Sequence, residues 1–144
     1  MTQEVERPKL LVLEFVTLPE ISPSLGLLED IAAANWAEDD CTPESLLAEI
    51  RQGRIWMWHI KGVERGLALL RIEETPKTRT LVLYGLAGHN VLTRGQAIGQ
   101  DLQAIAKFYG CAEIDTVAHD LRWNFVAKRL GFDVAYVVYR QKVN

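Results

Sequence analysis

Apolar residues along this chain change their spacing several times, and each change predicts an element. Leu10 to Val16 is apolar and branched enough for a first strand, ended by Thr17-Leu18-Pro19. From Leu25 to Trp36, apolar positions at Leu28, Ile31, Ala32 and Trp36 predict a helix with one buried face. Thr42-Pro43-Glu44-Ser45 reads as a second helix start. Thr42 can cap, Pro43 suits the first helical position, and Glu44 complements the positive pole. That helix turns Leu46, Leu47 and Ile50 inward and stops at Gly53.

The middle of the chain reads as sheet. In Ile55 to Lys61, Trp56 and Trp58 alternate against Ile55, Met57 and His59. Gly62 to Gly66 turns the chain into Leu67–Glu73, and Thr75-Pro76-Lys77-Thr78 turns it again into Arg79–Ala87. Short turns between three strands predict an antiparallel meander. Leu102, Ile105, Ala106 and Tyr109 then keep helical spacing up to Gly110. Ala112–Ala118 reads as a strand, Leu121–Leu130 as a helix closed by Gly131, and Phe132–Arg140 as a last strand. The order β-α-α-β-β-β-α-β-α-β is a mixed α/β (α+β) layout.

Composition narrows the class. One domain over residues 1–144 is expected, with 49% hydrophobic and 24% charged residues in the range of a soluble globular chain. A net charge of −3, and no Lys/Arg cluster longer than a pair, give no footprint for nucleic acid. The polar start, Met1 to Lys9, lacks the apolar core of a signal peptide, and no apolar run is long enough for a membrane span. Cys41 and Cys111 have no Cys-x-x-Cys spacing and read as free thiols of a reducing compartment, so a cytoplasmic location is expected. The three histidines and two cysteines show no metal-ligand spacing. Trp36, Trp56, Trp58 and Trp123 are core walls or, if left uncovered, a protein-binding patch; without a basic groove they do not form a stacking platform for bases. Glu38-Asp39-Asp40 is a solvated turn, or an attraction for a cationic amine.

Arg94-Gly95-Gln96-Ala97-Ile98-Gly99 lies between a strand and a helix. A glycine-bearing turn there can aim backbone N–H groups at one anion, with the helix dipole adding to the attraction. An ordinary strand-to-helix turn is the alternative. Element order, the place of this loop and the closing Leu130-Gly131-Phe132 resemble the GNAT superfamily of acyl-CoA-dependent N-acyltransferases. The resemblance implies a mostly antiparallel central sheet with helices on both faces. It implies acetyl-CoA or another acyl-CoA as cofactor, its pyrophosphate on Arg94, Gly95, Gln96, Ala97, Ile98 and Gly99. It also implies that backbone at Leu86, Ala87 and Gly88 pairs with the pantetheine arm. Ala97 stands where the superfamily pattern has a glycine, and is tolerable there if its φ is negative. More narrowly, Gly53-Arg54-Ile55-Trp56-Met57-Trp58, Phe108–Ile114 and Arg122-Trp123 are similar to GNAT-like proteins of tailed bacteriophages.

Acyl transfer from a thioester to an amine needs a neutral amine, hence a base or water relay, and a proton or dipole for the departing thiolate. The resemblance implies a Glu on the third or fourth strand and a Tyr four residues before Gly131. Leu81 to Gly88 contains no carboxylate, Ala127 stands at the Tyr position, and Asp120 stands where an Asn is usual. His89 and Tyr84 are the substitute candidates for catalysis: a loop histidine of suitable intrinsic pKa and a strand tyrosine that can face a cleft. Tyr136 and Tyr139 face opposite ways, Tyr109 belongs to the helix packing face, and Asp120 after His119 caps the next helix or orients the histidine. Two readings are open. The chain is an N-acyltransferase for a small-molecule or protein amine, or a catalytically degenerate GNAT-fold structural or binding protein, phage-associated, with a phage or self-association partner.

Overall fold

The computed structural model describes residues 8–17, 42–116, 123–135, 139, 141 and 143. Within them β1 (Leu13–Val16), β2 (Trp56–Ile60), β3 (Leu67–Glu74), β4 (Arg79–Ala87) and β5 (Glu113–Thr116) form one sheet in that spatial order. Helices α1 (Pro43–Arg51), α2 (Gly95–Phe108) and α3 (Trp123–Arg129) complete the described elements. β1 to β4 pair antiparallel, and β5 runs parallel to β4 after the α2 crossover. The mixed, mostly antiparallel sheet expected from the meander is therefore present. The helix expected over Leu25–Trp36 lies outside the described residues.

Alternation along the strands divides the core into two layers. Trp58, Ile60, Ala68, Leu70, Leu81, Leu83 and Leu86 meet Ile98, Leu102, Ile105 and Ala106, the apolar stripe of α2. On the other face Met57, Leu67, Leu69 and Tyr84 meet Leu46, with Leu47 and Ile50 of α1 packed alongside. Helices thus cover both faces. The start of α1 obeys its sequence signal: Thr42 Oγ1 accepts from Ser45 N at 3.1 Å, and Ser45 Oγ accepts from Thr42 N at 3.0 Å.

β4 carries an irregularity that alternation alone does not announce. Leu69 pairs with Gly85, but the next residue, Leu70, pairs with Leu83, so Tyr84 is an extra residue bulged out of the ladder. The described part of the parallel ladder to β5 reaches Leu83–Thr116, where the Thr116 hydroxyl donates to the Leu83 carbonyl at 3.0 Å.

Both ends of the chain depart from the expected strands. β1 starts at Leu13 rather than Leu10 because the preceding amides are taken by a side chain. Asp101 of α2, 2% exposed, accepts from Leu11 N at 2.7 Å (Oδ1), and from Val12 N and Leu13 N at 2.8 Å each (Oδ2). Phe132–Ala135 is irregular rather than strand, with Val134 74% exposed. It pairs with no strand among the described residues: Phe132 packs on the core and its N–H donates back to Ala127 O at 2.9 Å, while Asp133, Val134 and Ala135 are exposed. Residues 136–138 lie outside the described set.

Asp101→Ala removes the acceptor of three amides, two of them buried. We expect a loss of at least about 3 kcal/mol in urea unfolding, since each stranded buried donor costs roughly 1–3 kcal/mol. Asp101→Asn, which retains one acceptor oxygen, should lose less.

Candidate functional site

The site expected from the sequence lies where β4 hands the chain to α2. Beyond Leu83, β4 continues from Tyr84 to Ala87, antiparallel to β3. Leu86 is buried against the α2-side core; Ala87 and Gly88 are half-buried. The chain then turns through His89 and Asn90, whose φ is +54°, into a 3₁₀ turn, Val91–Arg94. His89 N donates to Glu64 O at 2.9 Å, which ties this passage to the β2–β3 turn.

Arg94 to Gly99 is not a free loop. The 3₁₀ turn runs straight into the helix, so Gly95 to Gly99 already belong to α2, with Arg94 at its N-cap position. The stretch expected to face an anion is thus the first turn of α2 and its positive pole, not a glycine cradle. Gly95 N is already bonded to Leu92 O, and its φ and ψ, −54° and −45°, are those any residue adopts. Ala97 has no positive φ, and its half-buried methyl packs against the core, so it does not obstruct the pole.

Gly99 has a packing reason. The closing Leu130 passes so close that a Cβ on Gly99 would lie 2.6 Å from the Leu130 carbonyl oxygen. The two sequence marks of the resemblance, Gly99 and Leu130-Gly131, are therefore two sides of one contact between α2 and the end of α3. At Gly95 a Cβ would meet Arg129 O at 3.5 Å, an ordinary contact.

Arg94 does not cap the helix; its guanidinium lies over the β2–β3 turn, where a Cβ on Gly62 would fall 2.7 Å from Nη2. Gly62 has φ +78°, so a side chain there is excluded by backbone as well as by Arg94. Lys61 and Arg65 flank this turn, while Lys128 and Arg129 come in on α3, where the Arg129 backbone abuts Gly95. All five cations are exposed. Because they come from separate segments, no run of charge in the sequence reveals them.

The catalytic candidates are not brought together. His89 is exposed, and its side chain makes no hydrogen bond to a described residue. Tyr84, 9% exposed, is on the α1 side, with the Arg71 guanidinium 4.8 Å from its ring centre. Tyr109 packs on Trp56 at 5.1 Å, and Tyr139 is 93% exposed. Ala127 is half-buried on α3 and offers no proton. His119, Asp120, Tyr136 and Glu38–Asp40 lie outside the described residues. Cys111 is free and half-buried; burial pushes its thiol up, only partly offset by the Arg79 charge. A surface depression of about 330 Å³ lies elsewhere, between the end of α1 and the far end of β3. Its charges are already paired, Arg54 with Glu49 at 3.2 Å and Arg71 with Glu73 at 2.5 Å. No described helix is long and apolar enough to cross a membrane, and the described residues contain no metal-holding cluster.

No protein-family profile matches the chain, and no curated protein does. Solved structures match it in fold. A predicted acetyltransferase from Clostridium acetobutylicum, with acetyl-CoA, is 14% identical with a TM-score of 0.62, over 90% of this chain and 94% of that one. An aminoglycoside N-acetyltransferase in complex with CoA is 18% identical with a TM-score of 0.60, over 96% and 99% of the two chains. An aminoglycoside acetyltransferase from an uncultured soil metagenomic sample is 18% identical with a TM-score of 0.55, over 92% and 95%. The GNAT-like fold expected from the sequence is thus the fold of this chain.

The two glycines of α2 should separate in a stability measurement. Gly99→Ala forces a methyl onto backbone and should destabilise by about 1–3 kcal/mol. Gly95→Ala should be neutral or stabilising by up to about 1 kcal/mol, since helix propensity improves and space is available. Equal effects in urea or thermal unfolding would contradict the packing role of Gly99.

Proposed function

We propose that this chain binds an acyl-CoA, acetyl-CoA in the first instance, and transfers the acyl group to an amine. The observation that carries the reading is the passage from β4 into α2: the bulge at Tyr84, and beyond it the turn Val91–Arg94 that runs into the first turn of α2. An extended arm bearing amides can pair with strand backbone as a further strand would. The positive pole of α2 and Arg94 then stand beyond it for the diphosphate. Acetyl-CoA and CoA in proteins of this fold support the cofactor, although identities of 14% and 18% speak to fold alone.

In the transfer, the amine nitrogen attacks the thioester carbonyl carbon and the C–S bond breaks. The nitrogen loses a proton to a base or to water, and the thiolate takes one up. His89 is the one exposed titratable residue directly after the β4 edge, and fits the base role through its exposure to solvent. The acceptor is a small-molecule amine or a protein amine; aminoglycosides, named for two solved structures of this fold, are a first small-molecule set to assay.

A second reading has its own support. No carboxylate stands in Leu81–Gly88 and no hydroxyl at Ala127, so the fold retains the coenzyme edge without a dedicated acid or base. In that reading the chain is a catalytically degenerate binding or structural component, phage-associated as the resemblance in its sequence implies.

Calorimetric titration with acetyl-CoA and CoA tests the coenzyme reading. Saturable binding, weakened at least about tenfold by Arg94→Glu, is expected from the loss of one charged contact. Absence of binding at millimolar ligand would sink it. If turnover is found, His89→Ala should lower kcat by about 100-fold, the low end for a general base. An unchanged rate removes His89, and binding without turnover on any amine selects the second reading.

A further inference from the structure

β3 runs on to Glu74, although its ladder to β2 begins only at Leu70, which pairs with Trp56. Gly53 to Ile55 lead into β2 from α1 without strand structure, and the depression of about 330 Å³ lies at this step. Trp56 and Ile72 are its apolar wall, and the Arg54–Glu49 and Arg71–Glu73 pairs stand on its rim. The Tyr109 ring backs Trp56, and Phe108 backs Tyr109 at 4.9 Å. Arg71 is held over the Tyr84 ring. Its guanidinium is under-used: Nη2 donates to Glu73 Oε1, Nε is buried without a partner, and Nη1 donates to no described residue. Glu49 and Glu73 each accept through Oε1 alone. Such exposed pairs contribute little to stability and can exchange partners.

Both signs of charge stand on the rim in equal number, so a ligand of one sign meets repulsion from one member of each pair. A ligand with both signs on neighbouring atoms joins a pair head to tail, carboxylate to guanidinium and ammonium to carboxylate. An α-amino acid has that head, and an aromatic side chain matches the indole wall. The volume falls within the range of small-molecule clefts. We propose that the depression binds a free aromatic α-amino acid, its carboxylate on Arg71, its ammonium on Glu73 and its ring on Trp56. An ammonium held on a carboxylate stays charged and is no nucleophile, so the bound amino acid is a ligand and not the acceptor of an acyl group. Register separates the two places. Ile72 and Glu73 pair with Leu81 and Thr80 near the start of β4, whereas α2 begins beyond its end. The amino acid site therefore stands whether or not coenzyme binds.

The test is an NMR titration of the full chain with L-phenylalanine, read at the indole N–H signals of its four tryptophans. Loss of one signal in Trp56→Phe identifies that of Trp56. It should shift saturably with a Kd of about 1 mM or below. 2-Phenylethylamine, 3-phenylpropionate and L-alanine lack the carboxylate, the ammonium and the ring in turn, and each should bind at least about tenfold more weakly. Arg71→Gln and Glu73→Gln should each weaken L-phenylalanine about tenfold or more. Arg71→Gln should change 2-phenylethylamine by less than about twofold, a split that general loosening of the fold does not produce. Glu73, with its side chain 52% exposed, keeps the test usable if Arg71→Gln does not fold. Saturating acetyl-CoA should leave the titration unchanged. No saturable Trp56 shift at about 50 mM ligand, comparators that bind as well, or a Kd unmoved by either substitution overturns the assignment. Competition by acetyl-CoA, or acetylation of L-phenylalanine by it, overturns the assignment as well and leaves the coenzyme reading standing.

Discussion

Backbone pairing along β4 is the constraint on which the other features depend. The strand is held antiparallel by β3 along its whole length and, among the described residues, parallel by β5 over Thr80–Leu83. One extra residue, Tyr84, is set out of the β3 ladder directly after that stretch. The same strand delivers the chain to α2, so the strand's end and the positive helix pole are fixed together. Removing the extra residue would shift the register by one and swap the facing of the strand residues after it.

Local signals in the sequence were read correctly because local chemistry determines them. Thr42 and Pro43 start α1 through a cap formed within a few residues, and the turns at Gly62 and Thr75 fix the meander. Three features were not legible, and each depends on residues far apart in sequence. In the sequence Asp101 is one polar residue among helical positions, and its partners are about ninety positions earlier. The bulge at Tyr84 is a mismatch between two strands, visible in neither one alone. The cations around α2 come from three places in the chain, and a charge count along the sequence disperses them.

The Arg94–Gly99 stretch illustrates how a motif can be right for a reason other than the expected one. Its position was legible, and the turn after β4 does start a helix. From the sequence, its glycine-bearing turn is expected to aim backbone N–H groups at an anion, or to be an ordinary strand-to-helix turn. Gly99 instead makes room for the Leu130 carbonyl, and Ala97 turns its methyl to the core. The retained glycine thus speaks for the way α2 and α3 pack, while the case for a ligand moves to the β4 edge and the cations beside it.

The carboxyl group of Asp101 also decides what the sheet presents to other molecules. β1 is the first strand of the described order, and a strand in that place exposes a template on which another chain can add. Here three successive amides converge on one side chain, which an extended strand cannot do, since its neighbouring amides point opposite ways. The chain is therefore curled just ahead of Leu13, and β1 itself is left with only four residues. A residue in the middle of a helix thereby sets where the first described strand can begin, and how short it is.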